Sequence, residues 1–256
     1  MPVYAINQQP PSVFVRPILV ICFIFFVLTG LTKTYGVEVY SKEDSPFGLP
    51  LDQWLNKWWV WWVATTADEA TPKENGCLMN KSNSMVFLME TTVVGKPQVC
   101  EISSNQGIMI PLWTAFMEDS FNEKGEQPHK GYSYEQLSKA AREEADLGAV
   151  TSKVKIDGRE IAKLDEVSSM KAGKLDYKIN SMENVTELLS KGFNVTIPPD
   201  THYPDQNIGT WPSGAHGWFV FLKPLPPGDH TISYNAGVTG AGPEIASEIT
   251  YALKVK

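Results

Sequence analysis

Three patterns of apolar residues succeed one another along this chain. The first is unbroken: Ile18 to Leu28 is apolar throughout, Arg16 precedes it, and small or polar residues follow. A charge, an apolar stretch and then small residues is the order of a targeting segment. The uncharged stretch Pro17–Leu31 would measure about 22 Å as a helix, short against about 30 Å of hydrocarbon. Thr34 and Gly36 stand where a signal peptidase inspects small side chains. Residues 1–36 are therefore expected to be a signal peptide cleaved before Val37, with a retained N-terminal membrane helix as the alternative. Either way residues 37–256 are expected to form a single extracytoplasmic domain.

The second pattern has helical spacing. Pro50 and Asp52 suit a first helical turn, and the apolar positions after them predict a helix over Leu51–Val63. Trp54, Trp58, Trp61 and Trp62 fall on one face of it, with Leu55 and Trp59 beside them. The stretch 67–76 reads as loop through Pro72 and Asn75-Gly76. A second, peripheral helix opens on the capping box Ser133-Tyr-Glu-Gln136, runs to Leu147 and stops at Gly148.

The third pattern alternates. Val154–Ile156 and Arg159–Ile161 flank Asp157-Gly158, which predicts a two-residue type I′ hairpin. Period-2 stretches recur at Leu175/Tyr177/Ile179, Phe193/Val195/Ile197, Trp218/Val220/Leu222, His230/Ile232/Tyr234 and Ile249/Tyr251/Leu253/Val255. Gln98–Ile102 and Gly107–Trp113 read as strands, the latter with Pro111 at an edge or bulge, while Met85–Met89 is evenly apolar and reads as a strand buried on both faces. The expectation is a mainly β protein: an antiparallel β-sandwich, immunoglobulin-like or jelly-roll-like, with an N-terminal Trp-rich helix and one further peripheral helix.

Composition narrows the function classes. A formal net charge of -7, from 22 Lys plus Arg against 29 Asp plus Glu, would repel a phosphate backbone, so nucleic acid is not an expected partner. Of three cysteines Cys22 lies in the leader, leaving Cys77 and Cys100, which are expected to pair in an oxidising compartment. A metal site is the weaker alternative, since there is no C-x-x-C and His129, His202, His216 and His230 lack ligand spacing. No cofactor motif is present. Asn80, Asn184 and Asn194 begin sequons and are candidate glycan acceptors.

Trp54-x-x-Lys57-Trp58-Trp59-x-Trp61, the Gly76-Cys77 loop, Met85-Val-Phe-Leu88, Cys100, Ile156-Asp-Gly158 and Pro224-Leu-Pro-Pro-Gly-Asp-His-Thr-Ile232 occur in that order. This series resembles a family of signal-bearing prokaryotic exported proteins with a W-x-x-[RK]-W-W-x-W helix, two cysteines flanking a V-W-F-L-like strand, and a terminal P-L-x-P-G-x-H-T-I strand. Met85-Val-Phe lacks the Trp of that strand motif, and His216 stands where the family more often has Asp. The resemblance implies export and architecture and carries no chemistry.

Candidate sites follow from residue type. Indole faces stack on sugar rings, so Trp54, Trp58, Trp59, Trp61, Trp62, Trp211 and Trp218 are binding candidates, with core packing the stronger reading for the helix. His216 joins them, lying near Ser213 between Trp211 and Trp218, although no orienting acid can be assigned to a Ser213/His216 pair. Carboxylates cluster at Asp68/Glu69, Glu118/Asp119/Glu123/Glu126 and Glu143/Glu144/Asp146 and read as solvated surface; the second cluster would also suit calcium. The leading expectation is an exported, non-catalytic module that binds a glycan, a small ligand or an envelope protein, touching the membrane only through its N-terminal segment. A secreted hydrolase, its acids or His216 converging in the fold, and a structural subunit of a surface layer or membrane complex are the alternatives.

Overall fold

The computed structural model describes residues 36–71, 77–80, 84–89, 97–122, 124–145, 148–171, 174–203, 207–236, 238–239 and 247–256. The chain divides into a unit of residues 1–34, outside the described set, and a unit of residues 35–256. Within the second unit the helices are α1 (Leu51–Val63), α2 (Ala67–Ala70) and α3 (Tyr134–Ala145). The strands are β1 (Met85–Phe87), β2 (Gln98–Ile102), β3 (Gly107–Glu118), β4 (Gly148–Ile156), β5 (Arg159–Lys171), β6 (Lys174–Glu183), β7 (Thr186–Leu189), β8 (Phe193–Ile197), β9 (Gly209–Leu222), β10 (Gly228–Ala236), β11 (Val238–Thr239) and β12 (Ser247–Val255).

Two sheets form a β-sandwich. The first runs β1-β3-β9-β7 with β8 also on β9, and the second runs β2-β12-β10-β4-β5-β6 with β11 on β4. Most pairs are antiparallel, but β1 lies parallel to β3 and β2 parallel to β12, so both sheets are mixed. The chain passes from β1 in one sheet to β2 in the other and back to β3, and strands delivered by crossovers rather than hairpins can pair in parallel.

One core lies between the sheets, where Val86, Leu88, Ile110, Trp218, Val220 and Leu222 meet Val154, Ile232, Tyr234 and Tyr251. A second lies on the opposite face of the first sheet, where Met85, Phe87, Met109, Phe219 and Phe221 meet Leu51, Trp54, Leu55, Trp58 and Trp59 of α1. The first sheet is thus covered on both sides, which is why Met85–Met89 and Trp218–Leu222 are apolar without alternation. By contrast β2, whose outer face is open, reads buried and exposed in turn.

β3 does not end at Pro111, as its sequence suggested, but continues to Glu118 through a bulge between Pro111 and Trp113. The bulge changes the phase of the strand. Met109 faces α1 before it; after it Thr114, opposite Gly217, and Phe116, opposite Ala215, face that way instead. Glu118 inherits the same face.

Local chemistry sets the remaining elements. Asp157 and Gly158 both take positive φ, 52° and 77°, as a type I′ turn requires. His230 lies 2.8 Å from the Asp157 carboxylate, which also accepts the Thr231 N–H. The capping box at α3 is present: Gln136 N donates to Ser133 Oγ at 3.2 Å, and Ser133 N to Gln136 Oε1 at 2.8 Å. α3 lies directly on β9, where a Cβ at Gly214 would sit 2.1 Å from Ser138 N. Residues 67–70, expected as loop, form the short helix α2, because Thr66 and Glu69 make a capping box of their own.

Cys77 and Cys100 form a disulfide with Cα atoms 5.2 Å apart, tying the segment before β1 to β2 in the other sheet. Closing a loop of this length contributes on the order of 3 kcal/mol by restricting the unfolded chain. Two buried tyrosines of the second sheet reinforce this junction: Tyr234 Oη donates to Met89 O, and Met89 N donates to Tyr251 Oη at 3.1 Å. Among the described residues no helix is long and apolar enough to cross a membrane.

Candidate functional site

The indoles of α1 divide according to where the helix lies on the sheet. Trp54, Trp58 and Trp59 are buried, and each N–H has an internal acceptor: Pro46 O at 3.1 Å, Leu88 O at 3.0 Å and Thr114 Oγ1 at 3.0 Å. The buried stripe is Leu51, Trp54, Leu55, Trp58, Trp59 and Val63, so Trp59 and Leu55 belong to it. This corrects the face expected from spacing. Trp61 falls at the margin of the stripe. Trp62 falls in the last turn, where His202 covers it at a ring separation of 4.2 Å. Trp218 is 2% exposed and packs edge-on against His216.

Beside α1 the same sheet face carries a further set of aromatic side chains that pack on the same core. Phe116 stacks on Trp59 at 4.7 Å and lies 6.1 Å from Phe193 of β8. Trp211 of β9 pairs with Val195 and meets the edge of Phe121 at 5.8 Å. Tyr203 arrives from the segment after β8 and packs on the same core. Phe116, Phe121, Phe193, Tyr203 and Trp211 are all half-buried. Trp211 is fixed from behind, its N–H donating to Asn207 O at 2.7 Å.

A carboxylate lies within this aromatic floor. Glu118 stands opposite Ser213 on β9, and Phe193 stands opposite the same Ser213 from the other side, so the three share one level and one face of the sheet. The Ser120 hydroxyl donates to Glu118 Oε1 at 2.9 Å. Burial pushes the Glu118 carboxyl above the usual range, against the opposing pull of Ser120 and of the His129 charge. Tyr203 is raised as well, first by burial and then by the Glu118 charge beside it. Glu118 was expected as solvated surface; the re-phased end of β3 turns it inward instead. Next to it Asp119 accepts the Gly131 N–H at 3.1 Å, and its Oδ1 is buried without a hydrogen bond.

No family model, curated protein or solved structure matches the chain.

His216 does meet an acid, one that sequence spacing did not indicate. It is 1% exposed, and its Nε2 lies 3.1 Å from Glu187 Oε1 of β7. Arg142 of α3 reaches the same oxygen at 3.1 Å. The hydrogen bond with His216, then Arg142 and Lys42, hold Glu187 below the usual carboxylate range against its burial. Ser213 is no partner to this group: three residues from His216 on one strand, it faces the other side of the sheet and donates to Trp211 O.

Glu118 and Glu187 do not form a hydrolytic pair. They oppose Ser213 and Trp218, on opposite flanks and opposite faces of β9. Five residues of rise and two strand spacings put their Cα atoms about 19 Å apart, against roughly 10 Å or less between the carboxyls of glycosidases.

The remaining candidates are placed as follows. Asn80 is 7% exposed; its Nδ2 donates to Met85 O at 3.0 Å and its Oδ1 accepts from Phe87 N at 2.6 Å. That corrects its reading as an acceptor, since the folded chain holds this amide inside to fix the start of β1. Asn184 and Asn194 are exposed. Glu69 caps α2, Glu143 pairs with Lys139 at 3.7 Å, and Glu126 accepts from Asn122 Nδ2 at 3.0 Å, while Glu123 and Asp146 lie outside the described residues. Among the described residues no three His, Cys, Asp or Glu side chains converge as a metal site.

Proposed function

We propose that this domain is a non-catalytic, extracytoplasmic glycan-binding module, and that the sugar lies on the aromatic floor beside α1. The observation that carries the reading is the half-buried set Phe116, Phe193, Tyr203 and Trp211 on the sheet face of the Glu118 carboxyl. Aromatic faces offer sugar C–H surfaces a flat apolar contact, and a carboxyl beside them receives or shares hydroxyl protons. Trp211 keeps its ring in place through Asn207, so little side-chain entropy is lost on stacking. The Cys77–Cys100 disulfide supports an oxidising destination.

Export and carbohydrate recognition are tested separately. Mass spectrometry of the native N-terminus should find a chain beginning near Val37; one beginning at Met1 would favour the retained anchor. A glycan array probed with the purified chain should give a restricted set of bound structures, lost on Trp211→Ala. Silence on the array, or binding indifferent to Trp211, would remove the carbohydrate reading and leave the envelope-protein alternative.

A further inference from the structure

At the edge strand β7 the structure contains a cleft of about 410 Å³. We infer that this cleft is a second, separate binding site, built for a small zwitterion of the α-amino-acid type. Its charged lining comes from four parts of the fold: Lys42 from the segment before α1, Asp52 from the first turn of α1, Arg142 from the last turn of α3, and Glu187 and Lys191 from β7 and the residues after it. The volume lies at the lower end of small-molecule sites, which fits a ligand the size of an amino acid or dipeptide.

The arrangement of charge decides the ligand class. Both contacts to Glu187, from Arg142 and from His216, fall on Oε1 at 3.1 Å. His216 is buried behind it, so the carboxylate is fixed from the protein side and its other oxygen carries neither of these contacts. The same neighbours hold Glu187 below the usual carboxylate range, so it is ionised at neutral pH. Asp52 lies 3.4 Å from Lys191, whose side chain is 88% exposed, and Leu189 is also exposed at the mouth.

The charges of the cleft stand in opposite-sign pairs, Arg142 with Glu187 at 3.1 Å and Lys191 with Asp52 at 3.4 Å, so a simple anion would meet a carboxylate beside each paired cation and a simple cation would meet a cation beside each carboxylate. Like charges brought together without water between them are costly. A ligand with both signs on neighbouring atoms meets neither penalty. Its carboxylate suits the exposed ammonium of Lys42, and its ammonium suits the ionised Glu187.

Calorimetric titration of the purified full chain with L-alanine, L-glutamate and L-lysine tests this. At least one should bind saturably at millimolar concentration or better, while its N-acetyl and its amide derivatives each bind about tenfold more weakly, as loss of one charge-assisted contact implies. Glu187→Gln should weaken the amino acid by a similar factor. Lys42→Ala, at an exposed position, should weaken it about threefold without affecting the fold. Trp211→Ala should leave it unchanged, which separates this site from the aromatic floor. Absence of binding by all three amino acids, equal binding of the N-acetyl derivative, or loss of binding on Trp211→Ala would each overturn the inference.

Discussion

One face of the first sheet carries two aromatic regions that differ in burial: the indoles that α1 lays on the sheet are fully buried, and the rings beside them keep part of their surface in water. Under the helix, Trp54, Trp58 and Trp59 are buried and each N–H is held by an acceptor from elsewhere in the chain. Beside it, Phe116, Phe193, Tyr203 and Trp211 are half-buried, on the sheet face that also carries Glu118. Aromatic excess alone therefore does not locate a binding surface, because most of the indoles of α1 are spent on packing. The buried rings contribute stability, and the half-buried set is the one we propose for contact.

The comparison is tested most severely by Trp58→Ala, which should cost about 3–5 kcal/mol, as for a large buried aromatic, and Trp211→Ala, which should cost about 2 kcal/mol because part of its ring stays in water. Denaturant melts of both variants give the ratio, and equal losses would erase the distinction between the regions. Cys77→Ala should follow, with about 3 kcal/mol and a fall of several degrees in Tm, since the disulfide restricts the unfolded chain whichever region is occupied. Glycan affinity should survive that change at temperatures where the chain stays folded.

Smaller, and opposite in sign, are the pH effects of two carboxylates. Glu118 is raised by burial, so the folded chain holds its proton more tightly than the unfolded chain does. Its contribution is complete below the ordinary carboxylate range and declines as pH rises from that range to the folded value. Glu118→Gln should remove that decline, so the variant gains on the wild type as pH rises. Glu187 is lowered, chiefly by its hydrogen bond with His216, so its contribution is present above the ordinary range and is lost as pH falls towards the folded value. Glu187→Gln should therefore lose ground against the wild type as pH rises through the same window. Parallel pH trends in the two variants would contradict the assignment of one carboxyl to burial and the other to ion pairing.

Short-range signals carried much of this architecture into view from sequence. The bounds of α1, the Asp157-Gly158 turn, the capping box at Ser133 and the double burial of Met85–Met89 each depend on residues within one element, and each is found as expected. The aromatic floor was less legible. Glu118 reads as part of a polar excursion, and only the bulge at Pro111/Trp113, together with pairing to Ser213, turns it towards Phe193 and Trp211. The partner of His216 was hidden for a related reason: Glu187 belongs to β7, a four-residue strand with little periodicity, and comes near His216 only through its register with β9. Asn80 shows the converse, a familiar acceptor motif that tertiary packing uses for something else.

The most direct test of the aromatic floor is a fluorescence titration of the intrinsic tryptophans with the oligosaccharide best bound on the array, carried out on the wild type, Trp211→Phe and Trp54→Phe. A saturable change that persists in Trp54→Phe and disappears in Trp211→Phe is the predicted result. A change that persists in Trp211→Phe, or one that disappears with Trp54→Phe while that variant remains folded, would contradict the account.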